Sequence, residues 1–178
     1  MSVNVSVRQV ADADVVADVE EALGASGLSP EALTVETTES LLMERAGPAV
    51  ATLRGLRELG VRISIDDFGT GYSSLAYLRR LRVDEIKIDR EFVTGLGRDR
   101  SDTAIVAAVV NLAHTLRLDV VAEGVESAAQ VSELRAAGCD RAQGYVLSPP
   151  LRSEEADAVL VGGPRPLVEG ARGATMGG

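Results

Sequence analysis

Six short segments of this chain each set a polar side chain among aliphatic neighbours: Asn4, Glu36, Asp66 with Asp67, Lys87 with Asp89, Glu123 and Gln143. Carboxylates and side-chain amides, without histidine or cysteine, are hard oxygen donors that suit Mg²⁺ or Mn²⁺ and not zinc. Ions of that kind polarise phosphoryl oxygens and generate hydroxide from water, and a pair of them clamps both the attacking and the leaving oxygen of a phosphodiester. Lys87 is the only lysine in a chain that uses arginine at every other basic position. A compact ammonium keeps such a cluster from being wholly negative, and it can orient water or neutralise charge developing in a transition state. Taken singly, each acidic residue reads as a solvated strand end or a helix cap. The six together read as one site.

The elements that position them alternate. Runs with strand character lie at 3–6, 33–38, 61–66, 85–89, 119–124 and 141–147. Between them apolar residues recur at helical spacing, as in Val15, Val16, Val19 and Leu23, or Val50, Leu53, Leu56 and Leu59. Gly24 with Gly27, Gly60 and Gly138 stand where helices should stop. Regular βα alternation implies a parallel sheet covered by helices, either an open doubly wound sheet or a barrel. Strand parity separates the two. Ile86 and Ile88 flank Lys87, Ile63 and Ile65 share one parity while Asp66 takes the other, and Val3 and Val5 flank Asn4. With helices on both faces the polar parity would be buried at high desolvation cost. In a barrel it points to the axis and opens into the mouth at the C-terminal strand ends, where active sites lie. The expected fold is α/β, a TIM-like (β/α) barrel.

At 178 residues and 46% hydrophobic, the chain can bury a core as one domain, expected over 1–162; the Gly-rich end, 163–178, is expected to be a disordered tail. The apolar stretch 103–113 is too short to cross a bilayer and the first ten residues lack a signal-peptide pattern, so a cytoplasmic protein without membrane contact is expected. A net charge of −9 argues against DNA or RNA as partner. One cysteine and one histidine, Cys139 and His114, cannot build a disulfide or a structural zinc site and are expected to be packing residues.

The segments "VNVS", "VETTES", "DDFGTGYSSLAYL", "VDEIKIDREFV", "VVAEGVES" and "GCDRAQGYVLSPPL" follow one another in the chain. In identity and order this series resembles the motifs of EAL domains, the bacterial cyclic di-GMP phosphodiesterases of second-messenger signalling. The resemblance implies hydrolysis of cyclic di-GMP to linear pGpG with one or two Mg²⁺ or Mn²⁺ ions. It implies Asn4, Glu36, Asp66 and Asp67 as metal ligands, Lys87 as the residue that assists the attacking water, and Glu123 as general base or its support. Asp89, Gln143 and Glu126 would bind or support substrate. Glu39 would hold a loop in which Gly69 and Gly71 supply conformational freedom, and a homodimer is the implied assembly.

One departure stands beside the match. The Glu-Ala-Leu motif that gives the family its name lies on a strand preceding the one with Asn4, and its glutamate is a metal ligand. Here Asn4 is the fourth residue, and both Glu-Ala-Leu tripeptides, Glu21 to Leu23 and Glu31 to Leu33, follow it. The expectation is an incomplete barrel of about six of eight βα units, short by roughly 60 residues at about 30 per unit. Its edges would be open to association, and its metal affinity would be lowered by the missing ligand. Three functional outcomes follow: a phosphodiesterase with residual activity or with its missing strands supplied by another chain, a catalytically inactive module that binds cyclic di-GMP or a protein, and a non-functional domain fragment.

Overall fold

The structure, a computed structural model, describes residues 1–10, 14–38, 48–69, 78, 81–152 and 155–156. The expected tail at 163–178, together with Glu39 and Gly71, lies outside the described residues. Six strands, β1 (Ser2–Asn4), β2 (Thr34–Thr38), β3 (Arg62–Phe68), β4 (Glu85–Ile88), β5 (Asp119–Ala122) and β6 (Arg141–Ala142), form one sheet in chain order. Every neighbouring pair is parallel. The sheet is part of a (β/α) barrel, six strands of the eight that such a barrel holds. The described helices are α1 (Val7–Val10), α2 (Val15–Ser26), α3 (Pro48–Glu58), α4 (Arg90–Thr94), α5 (Arg100–Thr115) and α6 (Ala128–Ala137), with a 3₁₀ turn at Pro30–Ala32.

The two faces of the sheet differ in chemistry, as the alternation predicts. Val35, Ile63, Ile65, Ile86, Ile88, Val120 and Ala122 turn outward and are buried with Leu53 and Leu56 of α3 and Val106, Val110 and Ala113 of α5. Full burial of each large aliphatic side chain stabilises by about 1.5–3 kcal/mol. On the axial face the strand register sets Asn4 beside Glu36, Glu36 beside Ser64, Ser64 beside Glu85 and Glu85 beside Asp119. The usual interior of such barrels is branched aliphatic. This one is mostly polar, with Val121 beside Lys87 as an apolar exception.

The turns from helix to strand share one construction. Gly60, Arg82, Arg117 and Gly138 each take the left-handed conformation, with φ of 95°, 51°, 61° and 81°. An apolar residue follows each, and then a polar one: Arg62, Asp84, Asp119 and Asp140. Two of these aspartates also tie adjacent strands, Asp84 accepting from Ile63 N at 2.9 Å and Asp140 from Val120 N at 2.8 Å. Before α6, Ser127 and Gln130 form a reciprocal capping box that stabilises by about 1 kcal/mol.

Three expectations need correction. Gly24 does not stop a helix: it lies inside α2, which ends at Gly27 with φ 68°. The sixth strand, expected over 141–147, is only Arg141–Ala142, because Gly144 packs on the backbone of Val125, where no β-carbon fits, and the chain turns away from the ladder. His114 is not a packing residue; its half-exposed ring lies 3.0 Å from Asp140. Cys139 does pack, with its thiol against the carbonyls of Val120 and Arg141. Neither Glu-Ala-Leu tripeptide reaches the axis through a strand, since Glu21 to Leu23 is inside α2 and Glu31 to Leu33 spans the 3₁₀ turn and its end.

Candidate active site

Lys87 sits at the centre of the axial face of β4, only 4% exposed. Its ammonium lies 2.8 Å from Glu36 Oε2 on β2 and 3.4 Å from Asp66 Oδ1 on β3, and it also contacts Glu123 Oε1 just beyond β5. Four neighbouring strands thus send one charged group each to a single point. Burial works against the ammonium, but the hydrogen bonds to Glu123 and Glu36 outweigh it and raise the Lys87 pKa above the ordinary lysine range. It stays charged at neutral pH. For Glu123, burial pushes the carboxyl up; Lys87 pulls it back, and the charges of Asp66 and Glu36 push it up again. A carboxyl raised in this way is a better proton acceptor near neutral pH than a solvated one.

Around this centre the other expected residues take their places. Asn4 is exposed on β1, in register with Glu36 and on the same face. The register of β3 against β4 shifts between Ile65 and Phe68, and within that irregularity Asp67 adopts φ 55°. Non-glycine residues held there carry strain, and strained positions gather at functional sites. Burial, the adjacent Asp66 charge and a hydrogen bond shared with Asp89 push the Asp67 carboxyl up. Asp89 also caps α4 by accepting from Glu91 N at 2.6 Å. Gln143 donates to Glu123 Oε1 at 2.6 Å. Backbone bonds from Glu123 N to Ile88 O and from Gln143 N to Ala122 O continue the ladder past the strand ends and fix both positions. Gly69 has φ 102° and lies against the Phe92 ring, a place where a side chain would be strained.

A cavity of about 440 Å³ opens beside the centre, lined in part by Glu126, Gln143, Arg90 and Tyr145. Arg90 and Tyr145 were not singled out in the sequence. Arg90 holds Glu126 at 2.5 Å, and its position in the tripeptide Asp89-Arg90-Glu91 gives no sign that it faces a cavity. Below Lys87, Ser64 and Glu85 were also missed. Ser64 donates to Glu85 Oε1 at 3.0 Å, and Arg141 meets Glu85 Oε2 at 2.6 Å. The signal that could have found them is parity: Ser64 and Glu85 are two residues before Asp66 and Lys87, on the same face.

Among the described residues no group of three or more His, Cys, Asp or Glu side chains closes around a point as a preassembled metal cage. The donor set nonetheless fits a hard divalent cation. Glu36, Asp66, Asp67 and Asn4 offer oxygen donors without a soft ligand, and a single ammonium offsets only part of the charge of the three carboxylates it touches.

Comparison with known proteins agrees with this geometry. Over 155 residues the chain is 48% identical to the bifunctional diguanylate cyclase/cyclic di-GMP phosphodiesterase MucR of Pseudomonas aeruginosa, covering 87% of this chain and 23% of MucR. It thus spans less than a quarter of that relative. The MucR phosphodiesterase, solved in complex with c-di-GMP, matches with a TM-score of 0.83 and 48% identity over 87% of this chain and 63% of that one. The EAL domain of Mycobacterium smegmatis DcpA matches with a TM-score of 0.88 and 41% identity over 93% of this chain and 74% of that one. Klebsiella pneumoniae BlrP1, in a manganese/c-di-GMP complex, matches with a TM-score of 0.75 and 34% identity over 81% and 37% of the two chains. Since residues 1–150 also match the family described as the EAL domain, the parallel half-barrel with a lysine held among axial carboxylates belongs to the EAL domain family, and so does this chain.

Proposed function

We propose that this chain hydrolyses cyclic di-GMP to linear pGpG in the cytoplasm, with Mg²⁺ or Mn²⁺ held by Glu36, Asp66 and Asp67 and with Asn4 beside them. The observation that carries the reading is the convergence of Glu36, Asp66 and Glu123 on the Lys87 ammonium. A bound divalent cation supplies neutralisation of phosphoryl oxygen charge and acidification of water. Glu123, with its raised carboxyl, accepts a proton from the attacking water, and Gln143, hydrogen-bonded to it, holds it in that orientation. Lys87 remains protonated and stabilises charge that develops on the phosphoryl oxygens. Arg90 and Tyr145 line the adjoining cavity, where a guanidinium can meet a phosphate and an exposed aromatic ring can stack a base. Glu126 positions Arg90, and Asp89 buttresses Asp67. Glu39, Gly69 and Gly71 belong, in this reading, to the loop that orders substrate. A homodimer is the assembly in this reading.

The test is chromatography of cyclic di-GMP after incubation with the purified chain and excess Mn²⁺. The expected result is pGpG from the parent and none from Glu36→Ala or Glu123→Ala. A soluble, cooperatively folded parent that yields no product would replace hydrolysis with ligand capture, which equilibrium binding of cyclic di-GMP then measures.

A further inference from the structure

A second cavity is at the other end of the barrel. It has a volume of about 920 Å³ and is formed by the turns that lead into β2, β3, β4 and β5, within the size range of small-molecule sites. Four arginines line it, Arg57, Arg62, Arg82 and Arg117, in a chain whose net charge is −9. Their partners are unevenly distributed. Arg57 pairs with Asp84 at 2.9 Å and Arg62 with Asp119 at 2.7 Å, while Asp119 is also taken by Arg141. Arg82 and Arg117 have no ion-pair partner among the described residues, and Arg62 Nε is buried without a hydrogen-bond partner.

The backbone adds an independent observation. Arg82 and Arg117 both occupy the left-handed position at the end of a helix, with φ of 51° and 61°, where Gly60 and Gly138 stand in the equivalent turns. Glycine is the unstrained residue there, and an L side chain is disfavoured. Among the described residues, two of the three non-glycine residues with positive φ are therefore the two arginines of this cavity that have no ion-pair partner. Strain retained at a concave site is a mark of use.

We propose that this cavity is an anion site for a small molecule carrying at least two phosphate charges, bound between Arg82 and Arg117 with Arg62 at its floor. Guanidinium forks recognise phosphate oxygens in pairs, and a polyphosphate supplies enough charge to overcome the repulsion of a net-negative protein. The site is separate from the Lys87 centre, because its lining residues precede or open the strands whose C-terminal ends carry that centre.

The probe is inorganic pyrophosphate, titrated calorimetrically into the intact chain in EDTA so that no metal bridges it to the carboxylates. Saturable binding is expected in the parent. In Arg82→Gly/Arg117→Gly it should weaken about tenfold or more, as loss of charge-assisted hydrogen bonds implies. The melting midpoint of the double variant should be unchanged or higher, because glycine relieves the left-handed strain, so lost binding cannot be attributed to unfolding. Arg135→Ala, exposed on α6 and outside both sites, should bind like the parent. The proposal is overturned if the double variant binds with parental affinity, if Arg135→Ala alone abolishes binding, or if sodium chloride at equal ionic strength reproduces the heat.

Discussion

Lys87 Nζ lies 2.8 Å from Glu36 Oε2 across the width of β3, joining residues 51 apart in the chain. Both side chains are almost wholly removed from solvent, at 5% and 8% exposed. The pair therefore has two roles: it holds the sheet's axial face together, and it keeps a positive charge among carboxylates that would otherwise repel one another.

Removing the ammonium should be costly and its exact form should matter. Lys87→Met leaves Glu36 and Glu123 facing each other without a counter-charge, so urea denaturation in EDTA should show a loss of about 3 kcal/mol. Added Mn²⁺ should restore part of that loss by replacing one cation with another. Lys87→Arg should stay folded and soluble yet give no pGpG, because the planar fork cannot occupy a position built for a compact ammonium; an active Arg variant would return Lys87 to a purely structural role.

The buried Glu85 carboxylate depends on Arg141 and Ser64. Arg141→Leu should destabilise by about 2 kcal/mol, less than a fully buried pair because Arg141 is half-exposed. Arg141→Leu/Glu85→Leu should lose less than the sum of the two single variants. A strictly additive cycle in urea titrations would mean that the pair contributes nothing.

Acid stability should depend on Asp140. Burial tends to raise its carboxyl, but the hydrogen bonds from His114 and from Val120 N prevail and hold it below its ordinary value. A group with a depressed folded pKa contributes stability above its unfolded pKa and loses it as pH falls through the folded one. Between the ordinary carboxylate range and still lower pH, the urea midpoint of Asp140→Asn should therefore fall less steeply than that of the parent. Parallel curves would remove Asp140 from the acid limb.

Cys139 should be slow to react. Burial pushes its thiol up to about 11, against weaker opposing hydrogen bonds, so little thiolate is present at pH 8. A chromogenic disulfide reagent should label it slowly in the native chain and rapidly in urea; equal rates would show an open environment.

Much of this was legible before any coordinates. Ile86, Lys87 and Ile88 announce a strand with one aliphatic and one polar face, and the same parity at Asn4, Glu36 and Asp66 announces a shared axis. Motif resemblance then supplied roles that parity alone could not. Other features depended on register. Glu85 opens the run at 85–89 with the parity of Lys87, but the adjoining Asp84 masks it as part of an acidic turn, and its pairing with Ser64 sets it on the axial face. Arg82 and Arg117 occupy positions where a glycine would have signalled the turn. The short sixth strand was hidden because "RAQGYVL" has strand-like composition throughout, and only the seating of Gly144 on Val125 ends the ladder. The Arg90 cavity requires three segments to meet, which no local pattern records.

The polar axis has a consequence for how the chain finds its fold. Slipping a strand by one residue exchanges its two faces. Here such a slip would press Lys87 or Ser64 against the aliphatic helices and turn Ile86 or Ile65 into a column of charges. Misregistered pairings are therefore penalised from both sides at once, and the groups poised for chemistry also serve as a proofreading device for folding.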